Sequence, residues 1–215
     1  MPRPLLIFDF DGVLVDTVDF FARETMQKLS ELGYDFIKSR EDLLDLFREN
    51  IAVAFIEHGV TPAHMCAIWE HIQEASKKEK IELCAGVGDM LTALTPACDM
   101  AIVSSNSSHM IRGVLSRLGL VDNFKSISGG EDDFEKIERI KACMNAIGSK
   151  PESTFYIGDT VGDVDEAHRA GVMAVAAGWG WHPIESLKDA GPDRLLVKPQ
   201  DLVDYIAKFP RGGVH

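Results

Sequence analysis

Residues 5–17 read LLIFDFDGVLVDT. Four apolar residues, Leu5 to Phe8, run directly into Asp9, Phe10, Asp11 and Gly12, and the stretch closes on Asp16 and Thr17. A short unbroken apolar run of this kind suits a parallel strand buried on both faces. Two carboxylates two positions apart at its end face the same side if the chain stays extended, and they repel one another. Something elsewhere in the chain has to compensate them, so the other strand ends are the places to look.

Similar runs lie at Met100 to Val103, Ser126 to Ser128, Thr154 to Ile157 and Met173 to Ala176, with Arg194 to Val197 as a sixth strand closing the sheet. Helical segments separate them. Met110, Ile111, Val114, Leu115 and Leu118 share one face before Gly119, and Ile137, Ile140, Met144 and Ile147 share another before Gly148. This alternation predicts an α/β fold with a Rossmann-like parallel sheet, whose ligands bind outside the carboxyl ends of its strands.

One interval breaks the alternation. From Asp16 to Leu83 only helical patterning is present, in stripes at Phe21, Met26, Leu29 and Leu32, at Leu43, Leu44, Phe47, Ile51 and Phe55, and at Met65, Ile68, Trp69, Ile72 and Ala75. The expected organisation is an α/β core of residues 1–15 and 84–215 with an inserted all-helical domain of residues 16–83. Gly86 and Gly88 would mark the return to the core.

The 215 residues carry a net charge of −12 with 46% hydrophobic and 26% charged residues, enough for one core and a small second one. That charge argues against nucleic acid or an anionic membrane as partner, but not against a small anionic substrate held in a locally positive site. Met1-Pro2-Arg3-Pro4 leads into a short strand-like run unlike a signal peptide, and no stretch approaches the length of a bilayer span. Cys66, Cys84, Cys98 and Cys143 form no C-x-x-C pair, so reduced thiols in a cytoplasmic protein are expected. Monomer and dimer are both compatible with the sequence, and the tail Arg211 to His215 reads as disordered.

Two strand ends answer the opening acids. Ser104-Ser105-Asn106-Ser107-Ser108 follows Val103 at a helix start, where hydroxyls, free backbone amides and the helix dipole make an anion site. Gly158-Asp159-Thr160-Val161-Gly162-Asp163 follows Ile157, and Lys136 and Lys141 lie on the helix just before that strand. The carboxyl edge would thus collect Asp9, Asp11, Asp159 and Asp163. Four acids in one crevice call for a cation, and all-oxygen donors beside a phosphate favour Mg²⁺. Ser104, Ser105, Asn106 and a lysine would hold the remaining phosphoryl oxygens. A carboxylate nucleophile beside a metal and a phosphate cradle suits an aspartyl-phosphate intermediate.

With D-x-D-G-V-L-x-D-T at 9–17, a serine ending the second long strand, a lysine, G-D-x-x-x-D at 158–163 and Gly-Trp-Gly at 178–180, the chain resembles haloacid dehalogenase (HAD) superfamily hydrolases. The branch is the one with a helical cap after the first strand, similar to phosphoglycolate phosphatase and β-phosphoglucomutase. The resemblance implies that Asp9 is the nucleophile and a Mg²⁺ ligand. It makes Asp11 the general acid/base, with its backbone carbonyl at the metal. Asp159 is implied as a direct ligand, and Asp163 as a ligand or a support of the metal-bound water. Ser105 or Ser104 would bind phosphate, with Asn106 beside it. The family's Lys-Pro is missing, and Lys136, at the start of its helix, is preferred to Lys141 in that role.

The implied activity is Mg²⁺-dependent hydrolysis of a small organic phosphate monoester, of the phosphoglycolate phosphatase kind. The alternatives are a sugar phosphomutase resembling β-phosphoglucomutase and a non-catalytic binding or regulatory protein on the same fold. Dehalogenation and phosphonate cleavage are disfavoured, since the resemblance implies that those branches lack the second aspartate. Arg48 and Asn50, between helical stripes, are candidates for contact with the substrate, Arg48 above all. The histidines show no ligand spacing and read as structural or surface residues, and Asp16 and Thr17 read as a hinge.

Overall fold

A computed structural model describes residues 3–48, 51–131 and 135–209. Leu5–Phe8 forms β1, every side chain fully buried. It lies at the centre of a six-stranded sheet with β4 (Asp99–Val103), β5 (Ser126–Ser128), β6 (Thr154–Gly158), β7 (Met173–Ala177) and β8 (Arg194–Leu196), in the order β5-β4-β1-β6-β7-β8. All pairings in this sheet are parallel, and Phe8 aligns with Ile102 of β4 and Ile157 of β6. The two neighbours of β1 are therefore the strands that end just before Ser104 and Asp159. Strand order reverses around β1, which opens a crevice at the carboxyl edge.

Strand alternation sends residues to two buried faces. Leu6, Phe8, Ile102 and Phe155 pack with α5 (Val87–Leu94), α6 (Ser108–Leu118) and α10 (Pro199–Lys208). Leu5, Ile7, Val103 and Tyr156 pack with α7 (Lys136–Ile147), α8 (Val161–Ala170) and α9 (Ile184–Asp189). The apolar runs have no polar face because helices cover both sides. Local chemistry starts these helices at the carboxyl edge. Ser107 caps α6, and Thr160 caps α8 in a reciprocal capping box with Asp163.

The described elements between residues 18 and 76 are all helices, α1 (Val18–Glu31), α2 (Arg40–Leu46), α3 (Ile51–Glu57) and α4 (Pro62–Ser76). Two differences from expectation appear here. The ends of the interval form a two-stranded antiparallel ribbon of β2 (Val15–Asp16) and β3 (Glu82–Leu83), with Val15 opposite Leu83. Strands of two residues carry no period of their own, and their hydrogen bonds come from chain that is distant in sequence. The apolar stripe from Leu43 to Phe55 also divides between α2 and α3. The amides of Phe47 and Arg48 bond back to Leu44 and Asp45, three residues earlier, which tightens and ends α2. Phe36, Phe55 and Trp69 continue the core into this layer. Asn50 and the tail 211–215 lie outside the described residues. Among the described residues no helix is long and apolar enough to cross a membrane.

Candidate active site

The loop after β1 is positioned by its backbone. Asp9 donates its amide to the Ile157 carbonyl at 2.8 Å, extending the sheet by one residue, and Gly12 turns the chain at φ +74°. A side chain at Gly12 would be strained at that angle and would meet the Asp159 carboxylate and the Trp181 indole. Gly158 has a similar constraint, since a Cβ there would collide with Asp163. Glycine at these two positions is what lets the acidic groups approach.

Asp9, Asp11, Ser104, Ser105, Asn106, Lys136, Asp159 and Asp163 all line one cavity of about 720 Å³. The two opening acids have different surroundings within it. Asp9 Oδ2 lies 3.5 Å from the Lys136 ammonium, and Oδ1 accepts the Phe10 amide at 2.8 Å. Burial pushes the Asp9 carboxyl up to about 7, against the opposing pull of Lys136, while the Asp163 charge adds to the rise. Asp11 instead accepts the Thr17 hydroxyl at 2.7 Å on one oxygen and the Asn106 amide at 2.9 Å on the other. Its carboxyl is also raised, by burial, with the Asn106 and Thr17 bonds opposing.

Lys136, at the first position of α7 and 8% exposed, is the cationic centre of the edge. It donates to Asp163 Oδ1 at 2.5 Å and lies 3.3 Å from Glu166. Burial works to lower its pKa, and Asp163 and Asp9 outweigh burial to hold it well above the ordinary lysine value. The other oxygen of Asp163 accepts the amides of Asp159 and Thr160 and the Thr160 hydroxyl. Burial disfavours its charge, yet Lys136 and Thr160 together bring its carboxyl below the usual value. Asp159 has less support, from the Trp181 amide and the charge of Lys136. Burial first, then the charges of Asp163 and Asp9, raise its carboxyl well above the usual range.

The fit of a metal rests on Asp159. Its Oδ2 accepts the Trp181 amide at 2.7 Å, whereas its buried Oδ1 has no hydrogen-bond partner among the described residues. Asp9, Asp159 and Asp163 each offer an oxygen within 4.8 Å of the others. An orphaned carboxylate oxygen among converging hard donors is what a divalent cation of the Mg²⁺ type would satisfy. The Asp11 carboxylate stands outside that cluster, occupied by Thr17 and Asn106.

The remaining expected residues take distinct places. Ser104, 2% exposed, is next to Asp9, and its hydroxyl accepts the Asn106 amide at 3.3 Å. Ser105 lines the cavity from an exposed position. Arg139 of α7 donates to the carbonyls of Ser104 and Gly129, at 2.6 and 2.9 Å, and so fixes the serine loop from behind. Lys141 is half-buried, pairs with Glu138 at 2.8 Å and does not line the cavity. Arg48 reaches the cavity mouth, paired with Asp45 at 3.0 Å and bonded to Ser186 at 3.2 Å.

Two residues not singled out for the site, Thr17 and Glu166, are found in it, and Trp181 belongs to the Gly-Trp-Gly-Trp turn that the resemblance places near its edge. Thr17, read as a hinge, holds Asp11. Glu166 completes the charge around Lys136. Trp181 supplies both a backbone donor to Asp159 and a ring at the cavity wall. Thr17 was visible in the D-x-D-G-V-L-x-D-T stretch and Trp181 in Gly-Trp-Gly-Trp, but neither pattern tells which way the side chain turns. His182, read as structural or surface, is buried. Its Nδ1 accepts the Val161 amide, and its Nε2 lies 2.9 Å from the Leu44 carbonyl at the end of α2.

Comparison with known proteins gives the same picture for nearly the whole chain. The family model described as "Haloacid dehalogenase-like hydrolase" matches residues 6–177. The phosphoglycolate phosphatase of Synechococcus elongatus is 30% identical over 209 residues, 96% of this chain and 98% of the relative. The pyrophosphatase PpaX of Listeria monocytogenes is 27% identical over 94% of this chain and 95% of its own. Among solved structures, a haloacid dehalogenase-like hydrolase of Streptococcus pneumoniae superposes with a TM-score of 0.78 at 20% identity, over 94% of this chain and 98% of its own. A protein from Clostridium acetobutylicum, described as a predicted phosphatase, reaches a TM-score of 0.83 at 18% identity, over 97% of this chain and 100% of its own. The protein is an enzyme, and its chain belongs to the haloacid dehalogenase-like hydrolase family.

Proposed function

We propose that the protein is a Mg²⁺-dependent phosphatase that hydrolyses a small organic phosphate monoester through an aspartyl-phosphate on Asp9. The observation that carries this reading is the pair of acids in one cavity with separate tasks: Asp9 faces Lys136 and the acidic cluster, while Asp11 is held apart by Thr17 and Asn106. Asp9, Asp159 and Asp163, with the backbone carbonyl of Asp11, would hold the metal, which when bound neutralises the crowded carboxylates and draws charge from the phosphoryl oxygens.

The chain's own groups account for the remaining steps. Lys136, Ser104 or Ser105, and Asn106 bind the phosphoryl oxygens not facing the acids. The Asp9 carboxylate attacks phosphorus while Asp11, protonated, gives its proton to the leaving oxygen. Asp11, now ionised, takes a proton from the water that cleaves the acyl phosphate, and Asp9 is regenerated. Thr17 and Asn106 keep Asp11 on the leaving-group side throughout.

Residues 16–83 act as a cap over this edge, joined to the core through the β2–β3 ribbon, with Arg48 at the mouth between them. Four free cysteines are in keeping with a reducing, cytoplasmic setting. The test is phosphate release from a panel of monoesters and sugar phosphates with Mg²⁺ present. Phosphate release, with phosphorylated Asp9 found after acid quench, is expected. Isomerised sugar phosphate without net phosphate release would instead identify a mutase.

A further inference from the structure

The wall facing the acids is aromatic. Phe21 of α1 and Phe47, just past α2, approach Trp181 of the core at ring-centroid distances of 5.6 and 5.0 Å, and Trp69 of α4 lies 6.0 Å from Phe21. All four line the same cavity as Asp9 and Asp11, with Ile51 and Ile72 beside them. Phe47 and Trp69 are only half-buried, so their rings still offer surface. The Trp181 indole N–H is buried and has no hydrogen-bond partner among the described residues.

The charges of the cavity are equally uneven. Among the described residues its cations are Arg48, Lys136 and Arg169. Lys136 is surrounded by Asp9, Asp163 and Glu166, Arg48 is paired with Asp45, and Arg169 with Asp165 at 3.3 Å. Glu131 and Glu135 add negative charge to the wall. A carboxylate on the leaving group would meet rings and like charge with no uncommitted cation. At about 720 Å³ the cavity is also far larger than a two-carbon acid requires.

We infer that the aromatic wall is the leaving-group subsite, and that the substrate class is a phosphate monoester of an uncharged alcohol carrying an aromatic or comparably flat apolar body. The inference rests on the phosphatase reading of the same site. Offset and edge-on ring contacts with Phe47, Trp69 and Trp181 bind that body.

The experiment compares 2-phenylethyl phosphate with phosphoglycolate on the full-length enzyme with Mg²⁺. Both release primary alcohols, so leaving-group acidity does not favour either strongly. The phenylethyl ester should show kcat/KM higher by about tenfold or more. Phe47→Ala and Trp69→Ala should each reduce that ratio several-fold through KM for the phenylethyl ester, and Phe47→Leu should retain most of it. Equal turnover, preference for phosphoglycolate, or a ratio unchanged in both alanine variants overturns the proposal. If no ester releases phosphate, the phosphatase reading fails, and the subsite is judged by binding alone. Benzylphosphonate should then bind at least about tenfold tighter than phosphonoacetate by calorimetry, with a change in tryptophan emission, and equal binding rejects the subsite.

Discussion

The carboxyl edge of the sheet and the helical wall opposite it enclose the same cavity with opposite chemistry. At the edge, Asp163 accepts from three donors on one oxygen and from Lys136 on the other, and Asp11 is gripped from both sides. At the wall, Phe21, Phe47 and Trp69 meet as rings, without a directed bond between them. Directed bonds hold charged groups to fractions of an ångström, which in-line chemistry on phosphorus requires. Ring packing fixes only shape and tolerates exchange of similar volumes. The contrast teaches that one fold can keep its reaction constant while its choice of substrate drifts. It also sets an order for substitutions, with loss of rate at the edge and altered ratios at the wall.

The largest effect should come from Asp9→Asn, which keeps the shape and removes the nucleophile. Turnover of every ester should fall by roughly 10⁴-fold or more, with no burst of product. A burst of nitrophenolate from p-nitrophenyl phosphate in this variant would move the nucleophile elsewhere. Asp11→Asn comes next. Alkyl phosphates should slow by about 10²–10⁴-fold because their leaving oxygen needs a proton. p-Nitrophenyl phosphate leaves without that help, so stopped-flow should record a burst followed by a stall as phosphoenzyme. Equal slowing of both ester types would show that Asp11 does not move the proton.

Lys136→Met tests the edge as a structure. It leaves Asp163 buried, and Asp9 and Glu166 beside it, without their common cation, a loss of about 3–5 kcal/mol for the buried Lys136–Asp163 pair. Urea unfolding in EDTA should reveal it as a lower midpoint at an unchanged slope. A loss below about 1 kcal/mol would mean that the hydrogen bonds from Thr160 suffice without the lysine.

Much of the edge was legible in the sequence, for physical reasons. Strands covered on both faces leave unbroken apolar runs, and the residues just after them, Asp9, Ser104 and Asp159, fall at one edge as soon as the sheet is parallel. Lys136 could be preferred to Lys141 because the first turn of a helix before a strand lies near that edge. The wall was not legible. Phe21, Phe47 and Trp69 appeared as members of helical stripes, and a stripe does not distinguish a ring packed in a core from one facing a cavity. Thr17 and the β2–β3 ribbon escaped for a related reason. Their partners, Asp11 across a turn and Leu83 across the whole helical layer, depend on tertiary contacts that no local period encodes.

A smaller effect concerns pH without metal. Asp9 is raised to about 7, and burial raises Asp11, Asp159 and Glu166 as well. Each of these holds its proton more tightly folded than unfolded, where carboxyls titrate near 3.9–4.3. Stability therefore falls as pH rises from about 4 through 7. Asp163, lowered in the fold, has given its full contribution above about 4, and Lys136 loses its own only above about 10.5. His182, whose pKa is lowered by burial, opposes the trend below about 6.5, a single group against four. Melting in EDTA should drop between pH 5 and 7, and Mg²⁺ should remove most of the drop. A melting temperature that rises over this interval in EDTA would contradict the crowding of acids at the edge.

Arg48→Ala should have the smallest effect, and it tests where the two regions meet. The guanidinium is half exposed, its Asp45 partner more so, and its bond to Ser186 links the end of α2 to α9 of the core. Exposed pairs of this kind contribute about 0–1 kcal/mol. With its charge already committed, Arg48 has little left for a substrate, and what it does supply is a tether across the mouth. Its loss should change kcat/KM by less than about fivefold, and equally for phosphoglycolate and 2-phenylethyl phosphate. A loss confined to phosphoglycolate would put a working anion site on the helical wall. The division between a charged edge and an aromatic wall would then fail at the one position where, among the described residues, the wall carries a positive charge.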